Sequence, residues 1–294
     1  MEHPERLVLP FLAALAGVAL LSLMDALMKS ASLAAGVYTA SLLRSLIAAG
    51  LLAPIWLAGG FTWPRGRVMR LHIERGAISA TMALAFFYAL TKLPIAEAIA
   101  ISFAAPLLAL YFAHWLLGES ISRTAIGASL LGFAGTLVIV GGRLGRSDFD
   151  TDTALGLASL AFSAILYAYN FVVIRRQSQL AGPLEVATFH SGVGGVLQLL
   201  AAPFFFVMPQ AGALGTISVA AALTAIASLA IAWAYARAEA QVLVPVEYSG
   251  FLWAALFGWL FFAETVTAPT IAGVCIIVVA CWIATPKPRR RRKS

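Results

Sequence analysis

The sequence predicts an all-α integral membrane protein with ten transmembrane helices, arranged as two inverted-topology five-helix repeats around a central cavity. The first observation behind this prediction is composition, because the 294 residues are 61% hydrophobic and only 11% charged. Soluble domains have about 25% charged residues, so a bilayer suits this much apolar surface better than water does. The second observation is an internal repeat with a period close to half the chain length.

The repeat consists of blocks of residues that recur at nearly constant spacing. Lys29, Gly36, Arg44 and Ser45 correspond, roughly 146 positions later, to Arg175, Gly182, His190 and Ser191. The segments Trp115–Glu119 and Leu260–Glu264 correspond in the same way, one residue out of step. We therefore predict two copies of one unit, residues 1–145 and 146–294. Duplicated membrane halves commonly bind a cargo between them.

Apolar segments long enough to cross a bilayer follow one another with short loops between them. A spanning helix needs about 20 residues, and helices are expected because no water in the bilayer core can satisfy an open backbone. The runs are too long and too continuously apolar for barrel strands. The first run takes part in the repeat and is predicted as a span, not as a signal peptide. The predicted spans are 8–29, 36–58, 72–91, 94–117, 122–141, 153–175, 184–207, 217–236, 240–262 and 267–285.

The basic residues predict a multi-pass protein of a bacterial-type inner membrane with both termini in the cytoplasm. In this orientation fifteen Lys and Arg lie inside and four outside, in agreement with the positive-inside rule. Because five spans are an odd number, the second repeat then enters the membrane in the opposite direction to the first. The polar segment 141–152 is the predicted exposed linker between the repeats.

The basic tail 286–294 is predicted to contact anionic lipid, because it directly follows a span. We predict no nucleic-acid partner, no metal and no other cofactor. Cys275 and Cys281 lie six residues apart in one span and on different helical faces, and the four histidines are dispersed along the chain. Metal-ligand spacing is therefore missing from the sequence.

The segment from Tyr88 to Ala98 is followed by Pro106, Leu117–Glu119, Gly127 and Gly132. This pattern resembles the EamA-type module of the drug/metabolite transporter superfamily. The resemblance covers the chain once per half, although the second copy has Ala263 before its glutamate and Pro245 as its proline. Within the superfamily the chain is most similar to bacterial aromatic amino-acid exporters of the YddG type. The resemblance implies ten helices, a central cavity and export of aromatic and other amino acids.

Aromatic and polar side chains share helix faces in predicted spans of both halves, because residues three or four apart lie on one face. This repetition, with hydroxyl and amide groups among the rings, favours a cavity for a partly apolar zwitterion over ordinary packing. The predicted substrate-binding residues are Met82, Phe86, Ile99, Phe103, Ser163, Tyr167, Asn170, Trp233, Tyr248 and Ser249.

Three ionisable residues inside predicted spans are candidates for charge handling. A charge near mid-bilayer costs at least about 2.5–3.5 kcal/mol, so Arg44 either captures a substrate carboxylate or has a structural role, as part of an ion pair or as a cap on backbone carbonyls. His190, its repeat counterpart, is either a packing residue or a proton carrier. Glu247 is either a coupling-proton site or the partner of a nearby arginine. Asp25 and Lys29, four residues apart, are predicted to pair with each other.

Prolines and glycines inside the spans predict deviations from regular helix packing. Pro106 and Pro245 remove backbone hydrogen bonds, and the resulting kinks are either static or points about which a helix flexes. Gly127, Gly132 and Gly135 suit close helix contact, either within one half or between two copies of the chain. The oligomeric state is left open.

Together these features predict a secondary transporter that exports amino acids, aromatic and other, or related small metabolites by alternating access. The motif G-x-x-x-x-G-K-[ST] does not occur, which argues against direct ATP drive within this chain. One alternative is a carrier for an unrelated metabolite. The other is an integral-membrane enzyme acting on a lipid-linked substrate, which the dispersed histidines disfavour. Neither the substrate range nor the coupling ion follows from the sequence.

Overall fold

The structure, a computed structural model, describes residues 5–60, 62–118, 123–144, 150–177, 180–235, 246 and 249–284. The regular secondary structure within these ranges is α-helical. In chain order the helices are α1 (Glu5–Ala35), α2 (Val37–Ala58), α3 (Arg67–Lys92), α4 (Ile95–Ser102), α5 (Ala105–Leu117), α6 (Arg123–Leu144), α7 (Thr151–Gln177), α8 (Pro183–Phe205), α9 (Ala211–Tyr235), α10 (Ser249–Phe262) and α11 (Ala268–Ala284).

Several of these segments are suited to a bilayer by length and composition. Six are long and apolar enough to cross it: Val8–Ala35, Val37–Ala58, Arg67–Lys92, Ile95–Leu116, Thr151–Ile174 and Ala211–Ile231. Shorter apolar helices lie at Ile126–Gly142, Ser249–Phe262 and Ala268–Ala280. The described residues thus confirm an all-helical chain with several apolar spans, while the count of ten spans stays a prediction.

The bundle has an apolar exterior and places polar side chains inside. Trp115 is 85% exposed and Phe204 is 82% exposed, whereas Lys29, His72 and Gln177 are buried. An apolar surface of this kind in water would promote association. Hydrocarbon around the bundle removes that difficulty, and the enclosed polar groups then satisfy one another or a cargo.

The fourth predicted span consists of two helices. α4 ends at Ser102 and α5 begins at Ala105, so that Phe103 and Ala104 form the break between them. Pro106 lies in the first turn of α5, where its missing N–H removes no intrahelical hydrogen bond. The interruption of this span is therefore a helix break with Pro106 just beyond it. Pro245 lies outside the described residues.

The two halves pack against each other in a reciprocal pattern. α1 lies against α9, and their repeat counterparts α7 and α3 lie against each other. α2 packs against its counterpart α8, and α6 against its counterpart α11. If each helix is replaced by its repeat counterpart, the same set of principal helix contacts is obtained. The main apolar core surrounds the turn between α3 and α4, where Met28, Leu90, Leu93 and Ile95 are fully buried.

Glycines bring α6 and α11 together. A Cβ atom on Gly135 would lie 2.8 Å from the carbonyl oxygen of Gly273, and one on Gly273 would lie 2.6 Å from that of Gly135. Gly132 is equally enclosed, whereas Gly127 has open space beside it. Gly135 thus serves contact between the two halves of one chain, which differs from both of the roles predicted for it. Gly132 lies most closely against Leu107 of α5, in agreement with the predicted packing within one half.

Candidate functional site

A small polar pocket lies where α2 and α3 of the first half meet α8 of the second. It combines two nitrogen-rich side chains with small ones, and the small side chains leave the space that the pocket occupies. Since Arg44 and Ser45 are the repeat counterparts of His190 and Ser191, equivalent positions of both halves contribute to it. The lining residues are Arg44, Ser45, Ser79, Ala80, His190, Ser191 and Gly194.

Two neighbouring side chains interact with the guanidinium of Arg44. Its guanidinium carbon lies 5.3 Å from the ring centroid of Phe87, in a cation–π arrangement. The opposite charge of Asp25 on α1 acts on the same guanidinium. Structural neighbours thus hold a side chain that also lines the pocket, and the capture of a substrate carboxylate by Arg44 stays a prediction.

Buried polar atoms at this pocket lack hydrogen-bond partners among the described residues. They are Arg44 Nε, Ser79 Oγ and His190 Nδ1, together with Nε of Arg75, which lies one turn before Ser79 on α3. An unsatisfied buried polar group costs about 1–3 kcal/mol. The arrangement therefore suits a ligand, or water, that presents several hydrogen-bond acceptors.

The predicted aromatic and apolar binding residues lie away from the lining of this pocket. Phe86, Ile99 and Phe103 are partly buried against the main core. Tyr167 stacks on the ring of Phe171, with centroids 4.8 Å apart. Trp233 packs against a second core cluster that contains Ala14, Val18, Ala234 and Val246. Periodicity predicts which residues share a helix face, but it does not reveal which neighbour each face meets.

Several predicted polar binding residues contact the backbone of their neighbours. Ser163 Oγ donates to the carbonyl of Met82, at 3.0 Å, and so links α7 to α3. Ser249 Oγ donates to the carbonyl of Val246, at 2.6 Å. Asn170 is buried, and its Oδ1 has no hydrogen-bond partner within the part of the chain that the structure describes. Glu247 and Tyr248 lie outside that part.

A polar relay joins α3, α7 and α8 beside the pocket. Arg75 Nη1 donates to Gln177 Oε1 at 2.8 Å, and Gln177 Nε2 lies 2.6 Å from His72 Nδ1. His72 Nε2 lies 2.9 Å from Glu185 Oε1. Sequence reasoning missed this relay, because His72 and Arg75 lie at the edge of a predicted span. Their spacing of three residues on one helix face was the available signal.

A second charged cluster lies near the C-terminal end of α1. Lys29 pairs with Glu264 at 2.5 Å and donates to the carbonyl of Leu93 at 2.7 Å. The other carboxylate oxygen of Glu264 accepts from the backbone N–H of Ile95 at 2.8 Å. The structure therefore gives Lys29 a partner in the second half, Glu264, where the sequence predicted Asp25.

Comparison with known proteins agrees with this architecture. The EamA-like transporter family matches the chain twice, over residues 9–141 and 154–285. The chain belongs to the EamA-like transporter family. A solved crystal structure superposes on this EamA-like protein with a TM-score of 0.66 at 22% identity, covering 94% of this chain and 96% of the other. That similarity concerns the fold.

Relatives of this EamA-like protein carry different cargoes. The pseudopaline exporter CntI of Pseudomonas aeruginosa PAO1 is 30% identical over 267 residues, which are 88% of this chain and 90% of the relative. A riboflavin transporter of Rhizobium johnstonii is 26% identical over 76% of this chain and 72% of its own length. The aromatic amino acid exporter YddG of Ancylobacter novellus is 33% identical over 34% of each chain. Membrane transport is common to all three.

Proposed function

We propose that this protein is a secondary carrier that exports amino acids or related small carboxylate-bearing metabolites across the inner membrane by alternating access. The observation that carries the proposal is the pocket to which Arg44 and His190 contribute from equivalent positions of the two halves. A guanidinium can hold a carboxylate through two parallel hydrogen bonds. A site shared between two halves is reached from either side when the halves move relative to each other.

The proposed halves, 1–145 and 146–294, lie in opposite orientations with both termini in the cytoplasm. The reciprocal packing of α1 on α9 and of α3 on α7 supports this arrangement. The distribution of basic residues supports the orientation, as does the basic tail 286–294, which we propose to contact anionic lipid. Reporter fusions at Asp148 and Ser294 should report opposite compartments, and the same compartment for both would exclude an inverted repeat.

Two of the predicted binding residues, Met82 and Phe86, lie on α3 beyond the pocket, along the proposed path of the cargo. Ser79, Met82 and Phe86 follow one another at helical spacing on α3, so cargo that leaves the pocket along this helix passes Met82 and then Phe86. Two relatives are named as exporters, which supports outward transport. The cargoes named for the relatives differ in kind, so a test of this carrier requires a panel of compounds.

Transport into proteoliposomes tests the proposal directly. The purified protein is expected to move at least one member of a panel of labelled amino acids and small carboxylates. Replacing Arg44 with alanine should lower transport of that compound roughly 10- to 100-fold, the range expected for a lost charged hydrogen bond. Arg70→Ala is the matched control, since Arg70 is an exposed arginine on α3. Normal transport by a folded Arg44→Ala variant would contradict the proposed role.

A further inference from the structure

Arg75 is a second guanidinium beside the pocket, and a relay of side chains fixes its orientation. The relay runs from Glu185 through His72 and Gln177 to Arg75, with successive distances of 2.9, 2.6 and 2.8 Å. His72 and Gln177 are almost fully buried. Water therefore does not compete for these hydrogen bonds, and the relay holds its geometry.

The direction of each hydrogen bond in the relay follows from Arg75. A guanidinium only donates, so the Gln177 atom that faces Arg75 is the amide oxygen. The Gln177 amide nitrogen, which can only donate, then faces His72 Nδ1. That nitrogen must accept, so the ring of His72 carries its hydrogen on Nε2 and donates it to the carboxylate of Glu185. Each bond in the relay therefore has one donor and one acceptor.

This relay occupies one terminal nitrogen of Arg75 and leaves its Nε without a hydrogen-bond partner among the described residues. Nε of Arg44, which lines the pocket, is in the same condition. Arg75 lies one helical turn before Ser79, which also lines the pocket, so the two side chains share a face of α3. The ion pairs among the described residues include neither Arg44 nor Arg75, so each guanidinium can take a carboxylate of the cargo.

We propose that the pocket binds a cargo with two anionic groups, such as a small dicarboxylate or an amino acid with an acidic side chain. One carboxylate meets Arg44 and the other meets Arg75, while Ser79 and His190 supply further hydrogen bonds. A neutral zwitterion has one carboxylate and would leave one of the two guanidinium groups without a carboxylate in contact, whereas a cargo with two carboxylates supplies one to each. His72, Gln177 and Glu185 act as positioning residues for Arg75.

The transport part of this inference rests on the proposed carrier function, whereas the binding part can be measured separately. L-glutamate and L-glutamine are the probes, because they have the same shape and differ in one anionic group. In detergent micelles, L-glutamate should raise the melting temperature of the protein at concentrations about tenfold lower than L-glutamine does. In proteoliposomes, L-glutamate should be transported at least tenfold better at low concentration.

Replacing Arg75 with glutamine should remove this preference. L-glutamate should then bind and move no better than L-glutamine, whose own values should change less than twofold. Arg75→Lys keeps the charge and a donor for Gln177 but loses the planar fork, so an intermediate preference is expected. If Arg75→Gln does not fold, Arg75→Lys replaces it as the test of the preference for L-glutamate. Arg70→Gln, on the same helix, should retain the full preference.

Gln177→Leu tests the relay, because it leaves Arg75 charged but without its anchor. The concentration of L-glutamate at half-maximal transport should rise several-fold, with the maximal rate changed much less. Equal binding of acid and amide by the wild-type protein, or full preference in Arg75→Gln, would overturn the proposal. If L-glutamate stabilises the protein but nothing in the panel is transported, the carrier proposal fails and the site assignment stands. If neither probe binds, the site assignment fails.

Discussion

Arg44 shows how a single buried cation is kept in an apolar environment. Burying an isolated charge costs several kcal/mol, and the chain offsets part of this cost with the Phe87 ring and the charge of Asp25. Phe87 is buried in the main apolar core. The guanidinium is therefore oriented by its surroundings, which lowers the entropy that a cargo would otherwise lose on binding.

Replacing Phe87 with leucine should separate the cation–π contact from simple packing. Leucine keeps most of the apolar volume and removes the ring face, so we expect a loss of about 0.5–2 kcal/mol beyond that of packing. A double-mutant cycle with Arg44→Gln, followed by thermal unfolding in detergent, measures the coupling. Phe86→Leu is the neighbouring control. Additive effects of Phe87→Leu and Arg44→Gln would show that ring and cation do not interact.

Sequence reasoning singles out Arg44 and His190 near the pocket, because ionisable residues inside apolar spans are rare. It misses Arg75 and Gln177, whose positions in the sequence are ordinary. A cation inside an apolar span is costly, so Arg44 stands out, and the repeat then identifies His190. Arg75 lies near the end of a span, where an arginine is unremarkable. Gln177 is about a hundred positions away, and only helix packing brings the two together. Phe86 and Phe103 share helix faces with other candidates, but aromatic rings occur in apolar cores as well as in binding pockets, so periodicity alone does not distinguish the two locations.

The end of α10 is an unusual helix cap. Ala263 adopts a left-handed conformation with φ of 53°, and its N–H donates to the carbonyl of Trp259 at 3.0 Å. This is the hydrogen bond of an αL motif, and the N–H of Glu264 adds a bond to the carbonyl of Gly258 at 3.1 Å. In the first half, Gly118 takes the same role with φ of 68°. The second copy therefore keeps the cap geometry after losing its glycine.

This cap should respond to substitution through backbone strain. A left-handed non-glycine residue costs about 1–2 kcal/mol, whereas glycine loses more entropy on folding, by about 0.5–1 kcal/mol. Ala263→Gly should therefore raise stability by about 0.5–1 kcal/mol, and Ala263→Val should lower it by at least about 1 kcal/mol. Melting temperatures in detergent give the comparison. A destabilised glycine variant would show that the strain is absent or relieved elsewhere.

The seam between α6 and α11 should tolerate no added side chain. Gly273→Ala would place a methyl group against the backbone of Gly135, so we expect a loss of about 1–3 kcal/mol through overpacking. Gly127→Ala on α6 is the matched control, because open space surrounds that position. It should leave the melting temperature unchanged or slightly raised. Equal effects of the two substitutions would show that the halves do not meet at this seam.

The Lys29–Glu264 pair ties the two halves together at the level of the whole molecule. Its atoms join α1, the turn before α4 and the segment before α11. Both side chains are mostly buried, so removing one partner strands the other. Lys29→Met should therefore cost about 3 kcal/mol. Lys92→Met is the control, because Asp152, the partner of Lys92, is more than half exposed and such pairs contribute at most about 1 kcal/mol.

Exchanging the charges of this pair should not restore stability. Lys29 donates to the carbonyl of Leu93, and Glu264 accepts from the N–H of Ile95. A glutamate at 29 would face that carbonyl and a lysine at 264 would face that N–H. The double variant Lys29→Glu with Glu264→Lys should thus melt no higher than either single variant. Rescue to the wild-type melting temperature would mean that charge alone, without the backbone contacts, stabilises this end.

The overall architecture could be predicted because the bilayer imposes its thickness on every span and the repeat reveals the pairing of the halves. Pro106 indicates an interruption of the fourth span, but the place of the break between Ser102 and Ala105 could not be predicted, because the apolar run continues through it without a change in composition. The partner of Lys29 could not either. Glu264 is 235 positions away, and an i,i+4 neighbour at Asp25 offered a simpler solution that the packing of α1 overrides.

Gly194 lines the pocket at a position where a small side chain can be added without disturbing the helix packing. A methyl group there would lie 3.5 Å from the carbonyl oxygen of Gly76 and 3.7 Å from Cβ of Ala80, both ordinary contact distances. At the next position, Gly195, the same change would place Cβ 2.8 Å from Leu46. Glycine and alanine codons differ by one base. A lineage carrying this fold can therefore narrow its range of cargo in one mutational step, without first having to repair the scaffold.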